Sequence, residues 1–279
     1  MDIFKVFASE LIKQIGKTID NFQAIILNII GINVADAGIT MTAIKSAALS
    51  LAGLFLAMEM ISLISEFRFE RIEDAIRLWI KVLFAKITIE NSSVIIGGIY
   101  DLFRNLGTNS IAEGFTAVKN TIYSFSDPDG LLDKYKGMLG EGYILAWIVL
   151  LIVNIIVTIM LIMIAIEIFG ISFEIAIHQA VGPIAISTLC NSTARSAGIS
   201  FIKSYSAVCL QTTVIGVIFK VYSTFADKLQ IGNDIIDSTV ATGGPFGLIF
   251  AYFSPIFALT VLCVTVRKSS DLTKRMFGT

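Results

Sequence analysis

The chain is short of charge. Only 15% of its 279 residues are Asp, Glu, Lys or Arg, against about 25% in an ordinary soluble domain. The charges it has are balanced, 21 basic against 22 acidic for a net of −1. No global attraction to a polyanion follows from that balance. Histidine occurs once, at His178, so no imidazole metal cluster can be assembled and no nucleophile–base constellation appears. Cysteine occurs three times, at Cys190, Cys209 and Cys263, each in apolar surroundings. An odd number so placed argues against a disulfide framework and for buried, inert thiols. The N-terminus is amphipathic and lacks the basic-then-apolar pattern of a cleavable signal peptide. "IGKT" (Ile15–Thr18) looks like the end of a phosphate-binding loop, but position 11 is Leu11 where a glycine is required, and no strand precedes it. "SDPDG" (Ser126–Gly130) begins like a calcium loop, yet its acidic ladder stops at Asp129, so it is a Pro-Asp-Gly turn.

What the chain has instead is apolar length. It is 55% hydrophobic, with a mean hydropathy of +0.81. Tyr143–Ile166, "YILAWIVLLIVNIIVTIMLIMIAI", runs 24 residues without a charge. As a helix it reaches ~36 Å, enough for a hydrocarbon core of ~30 Å. The composition predicts an all-α, polytopic membrane protein.

Residues 1–40 form an N-terminal segment apart. Phe4, Phe7, Ala8, Leu11, Ile15, Ile19 and Phe22 recur at three-to-four spacing, with Lys5, Lys13, Lys17 and Asp20 largely elsewhere. That spacing predicts an amphipathic helix, too charged to span, lying in the membrane interface or packed on a partner subunit. Gln23–Gly38, interrupted by Gly31 and Asp36, reads as short and re-entrant or peripheral. About five spans follow. Residues 41–103 hold two, near 44–65 and 78–103, joined by the hairpin 66–77; residues 104–142 read as a long exterior loop. Residues 143–266 hold three more, near 143–166, 199–225 and 245–266, and 267–279 form a basic tail. Between the third and fourth spans, residues 173–190 are apolar but interrupted by His178, Gly182 and Pro183. Gly-Pro predicts a helix break there, hence a re-entrant or half-membrane element, or else a sixth span.

Basic residues collect on the cytoplasmic side of short loops. Arg267, Lys268, Lys274 and Arg275 in the tail, Arg68, Arg71 and Arg77 in the hairpin, and Arg195 and Lys203 before the fourth span can all lie inside together. Residues 104–142 and 227–243 then fall outside, with the N-terminus. A sixth full span would put the tail or the hairpin on the wrong side.

Ionisable groups inside a membrane are costly and face protein or water. Glu59, in the first span, is the foremost candidate for a lumen or subunit interface; Glu167 and Glu174 sit at membrane edges, where they can snorkel. Lys81, Lys86 and Glu90 in the second span are spaced as a polar stripe that lipid would not tolerate. Small residues in "KSAALSLAG" and "GGIYDLF" allow close helix approach. In the hairpin "EFRFERIEDAIR", Arg68, Arg71 and Arg77 alternate with Glu66, Glu70, Glu73 and Asp74. Such alternation either only sets topology or suits docking to a complementary partner face, with Arg68, Glu70, Arg71, Asp74 and Arg77 as the contacts.

"FERIEDAIRLWIKVLFAKI" (residues 69–87) and "ARSAGISFIKSYSAVCLQTTVIGVI" (residues 194–218) carry a resemblance. With the exterior N-terminus, five spans, long exterior loop and basic tail, they resemble the TrbL-type polytopic inner-membrane subunit of type IV secretion and conjugation systems. The resemblance covers most of residues 40–270. It implies a non-enzymatic channel subunit without cofactor, assembled from several copies in a ring within membrane lipid. Separate cytoplasmic ATPases and other secretion subunits would be its partners, and a translocated DNA–protein or protein substrate would touch it transiently. A secondary transporter or small-ion channel is the alternative, though no inverted repeat is evident; a membrane scaffold is a third.

Overall fold

A computed structural model describes the backbone of residues 2–31, 39–65, 72–124, 141–228 and 234–278. Its regular structure among these residues is helical: α1 (Asp2–Gly31), α2 (Ile39–Ser65), α3 (Ile72–Glu90), α4 (Ser92–Ser124), α5 (Glu141–Ser187), a 3₁₀ turn (Thr188–Cys190), α6 (Arg195–Lys228) and α7 (Asp234–Phe277). Three stretches are long and apolar enough to cross a membrane: Met41–Ser65, Leu151–Ser187 and Arg195–Phe225. A fourth exists if Leu78–Glu90 and Ser92–Asn120, bent by 58° at their junction, count as one. Among the described residues the protein is thus all-helical, with three to four candidate spans. The fifth expected span, residues 245–266, lies within α7, and the side chains of residues 226–255 are outside those described.

α1 follows the periodicity. Ile15, Ile19, Ile26 and Ile30 are buried on one face, while Glu10, Lys13, Lys17 and Asp20 are exposed. The helix continues to Gly31, so residues 23–31 are not a separate short segment. Ile26 and Ile30 prolong the same face, which keeps the turns in register.

Three other expectations change. The second span is not straight: α3 stops at Glu90 and α4 restarts at Ser92. At the junction, the Asn91 side-chain amide donates to the Ile87 carbonyl at 2.8 Å, and Ser92 and Ser93 follow it. Short polar side chains compete with the backbone for its partners and favour such breaks. Residues 104–124, read as the start of a loop, are helical. Ile111, Phe115 and Val118 are buried at helical spacing, a periodicity masked by the polar residues between them.

The third change concerns Gly182–Pro183. α5 passes through both and ends at Ser187. Pro183 takes one N–H from the ladder and crowds the carbonyl four residues back, weakening the helix without ending it, and the bare Gly182 fits a close contact: a Cβ there would lie 2.0 Å from Ile96 Cδ1. The break falls four residues later. There the Ser187 and Thr188 hydroxyls donate to the carbonyls of Ile184 (2.6 Å) and Ala185 (2.7 Å).

The chain divides into two compact units, residues 1–30, 106–169 and 213–269 in one, and 31–105, 170–212 and 270–279 in the other. In the first, Phe115 stacks on Phe219 with ring centroids 5.0 Å apart. Gly216 lies so close to α4 that a Cβ would be 2.8 Å from the Gly107 carbonyl oxygen. Lys119 pairs with Asp20 at 2.7 Å, and Lys220 with Glu113. In the second unit, the buried Tyr205 hydroxyl donates to the Ile96 carbonyl at 2.9 Å and accepts from the Gln179 amide at 3.3 Å.

Candidate functional site

The site lies in the second unit, where α2 and α3 run alongside each other. Ala48 and Ala52 on α2 and Ala85 and Ile89 on α3 are buried; small side chains bring helix backbones close. Glu59 falls on the same stripe of α2 as the two alanines, seven residues beyond Ala52 and thus two turns away. It is only 8% exposed. The Lys81 ammonium, 37% exposed, pairs with its Oε1. Its other oxygen, Oε2, accepts the backbone N–H of Ser192 at 2.9 Å.

Ser192 is held in place by its neighbour. The Asn191 side-chain amide donates to the Phe55 carbonyl, one turn before Glu59, at 3.1 Å. Its Oδ1 accepts the N–H groups of Thr193 (2.7 Å) and Ala194 (3.2 Å), closing the turn that precedes α6. One carboxylate and one carboxamide therefore join three pieces of chain: α2, α3 and the turn between α5 and α6. The carboxylate is charge-compensated, and a buried charge left without such partners would be costly. At the other end of the helix pair, Lys45 donates to the Glu90 carbonyl and to Ser93 Oγ, both at 3.1 Å, closing the end of α3. A cation beside the last carbonyls of a helix also complements its dipole.

The three charges of the second span do not form one stripe. Lys81 and Lys86 are five residues apart, about 140° around a helix. Lys81 turns to Glu59, while Lys86 and Glu90 are exposed. Among the described residues neither Lys86 nor the Glu90 carboxylate has an ion-pair partner. Glu59 and Lys81 find each other within one chain. Of the hairpin candidates, Arg68, Glu70 and Arg71 lie outside the described residues, as do the side chains of Asp74 and Arg77 at the start of α3.

Glu167 and Glu174 are half-buried on α5. His178 lies inside the continuous helix, its Nδ1 2.8 Å from the Glu174 carbonyl and its ring 5.5 Å from Phe201 and 6.1 Å from Tyr205. Among the described residues no three His, Cys, Asp or Glu side chains come together as a metal site would require. Sequence reasoning missed Lys45, Asn191 and Ser192. The adjacent pair Asn191–Ser192, polar and set directly after an apolar run, was the available signal for a turn with work to do.

Comparison of the chain with known protein families, curated proteins and solved structures finds no match.

Proposed function

We propose that the chain is a non-enzymatic subunit of a membrane channel, of the TrbL type in type IV secretion and conjugation machines, helping DNA–protein or protein substrates across the cytoplasmic membrane. The observation that carries this is the outer face of α3. Lys86 and Glu90 are exposed there among exposed Trp79, Leu83 and Ile87. In lipid, each central lysine costs ~2.5–3.5 kcal/mol, so such a face calls for a neighbouring subunit or an aqueous path. A channel built from several copies supplies either.

On this reading five spans place the N-terminus outside, with α1 in the interface, and the hairpin 66–77 and the basic end of α7 in the cytoplasm. Residues 173–187 run on from the third span as the end of α5. The hairpin, with Arg68, Glu70, Arg71, Asp74 and Arg77, is where a cytoplasmic ATPase docks. Reporter fusions check the topology: fusions at 66–77, 191–203 and 267–275 read cytoplasmic and those at 115–130 exterior. A cytoplasmic signal near Asp129 contradicts it.

A secondary transporter is the second reading, favoured by the Glu59–Lys81 pair, since a carrier can couple transport to a buried carboxylate. Deleting the gene from a conjugating host and restoring it in trans separates the two. The channel reading expects DNA transfer to collapse and to recover with the restored gene. Unchanged transfer, with loss of a saturable solute uptake, overturns it in favour of the carrier.

A further inference from the structure

The outer face of α3 has the form of a helix–helix seam. Trp79, Leu83, Lys86 and Glu90 recur at spacings of four, three and four, which places them on one stripe of the helix. Trp79 is 74% exposed and Leu83 64%, and Lys86 and Glu90 are exposed beside them. The side buried inside the unit carries Ala85 and Ile89, about 110° around the helix from the stripe. Two features set this stripe apart from a face that lipid simply covers. It carries one positive and one negative charge, one turn apart, so it is complementary to a copy of itself. And neither charge has an ion-pair partner among the described residues.

We propose that α3 of one copy packs alongside α3 of the next copy, with Lys86 reaching the partner's Glu90. This rests on the multi-copy membrane reading above and names the contact that reading leaves open. Copies inserted with one topology carry their α3 helices parallel. Lys86 and Glu90 are then offset by ~6 Å along the common axis, a distance that the two long side chains bridge, as diagonal pairs do in parallel coiled coils. Trp79 and Leu83 form the apolar part of the seam. The arrangement repeats around a narrow ring, where one stripe of α3 meets both neighbours and each copy offers one ammonium to one of them and one carboxylate to the other. The inner face of α3, held through Lys81 to Glu59, keeps the seam in place.

The test uses the full chain in native membranes, with the native cysteines replaced by alanine and a single Leu83→Cys introduced. Mild oxidation is expected to give a disulfide-linked pair of chains, and an Ala85→Cys control is expected to give none. Lys86→Glu alone and Glu90→Lys alone, each in the Leu83→Cys background, should lower the crosslinked fraction by about tenfold or more, the scale of a lost charge pair. The double exchange Lys86→Glu with Glu90→Lys restores the pairing in reversed sense and should restore the crosslink. That recovery also shows that the single variants did not fail merely through misfolding. An unchanged crosslink in both single variants overturns the pairing, and so does a double exchange that inserts normally but stays uncrosslinked. Labelling of Cys-substituted positions 83, 86 and 90 by a water-soluble maleimide without any crosslink also overturns it, leaving water alone at this face. If native masses still show several copies without the crosslink, only the α3 seam fails; if they show one copy, the multi-copy reading fails with it.

Discussion

The two faces of α3 solve the same difficulty in different ways. Both carry charge on a helix rich in apolar side chains. On the inner face the charge is settled within one chain: Lys81 meets Glu59, whose second oxygen takes the Ser192 N–H. On the outer face Lys86 and Glu90 stand exposed with no ion-pair partner among the described residues. The first is therefore a matter of folding, and the second, on the multi-copy reading proposed above, of assembly. Substitutions on the inner face should lower stability at any protein concentration. Those on the outer face should leave the single chain intact and change only what it associates with.

The largest effect expected is at Glu59. Glu59→Ala leaves Lys81 without its counter-charge and Ser192 without its acceptor, at a cost of roughly 2–4 kcal/mol. That lies toward the low end for buried pairs, because Lys81 is 37% exposed. Chemical unfolding in detergent measures it. Exchanging the charges, Glu59→Lys with Lys81→Glu, should recover only part of the loss, since a lysine at position 59 cannot accept the Ser192 N–H. Full recovery would show that the turn 191–194 contributes nothing through Glu59.

Gly216→Ala comes next, at roughly 1–3 kcal/mol. The added Cβ would sit 2.8 Å from the Gly107 carbonyl oxygen and 3.0 Å from its Cα, and backbone yields less readily than a side-chain tip. Gly53→Ala is the control, because nothing lies within 4 Å of a Cβ there. Equal melting temperatures for the two variants would contradict the close approach of α6 to α4. Asn191→Ala, which removes the bond to Phe55 and the acceptor that closes the turn before α6, should cost about 1–2 kcal/mol and loosen proteolytic protection of residues 188–194. The smallest effect on the fold belongs to Lys86→Leu with Glu90→Leu, within about 0.5 kcal/mol. A large loss of stability in this pair would erase the distinction between the faces.

Much of this was legible in the sequence where the signal is local. The Ile15–Ile19 face of α1 followed from periodicity, and Glu59 stood out as a carboxylate in an apolar run. The charges of the second span do not make one stripe, because Lys81 and Lys86, though close in sequence, are about 140° apart around the helix. Pro183 marked a weak point, but α5 runs through it and ends at Ser187, and the bare Gly182 beside it lies close against Ile96. The Glu59–Ser192 bond joins residues 133 apart. No local pattern encodes such a contact; it comes from the packing of whole helices.

Native mass spectrometry of the full chain, released from discs of its own membrane lipid, tests the account at its centre. The wild-type chain should emerge as an assembly of several copies, and the Lys86→Leu, Glu90→Leu chain as a single copy that keeps its helical content. A wild-type chain that emerges as one copy at every concentration would contradict the claim that the outer face of α3 is completed by its neighbours.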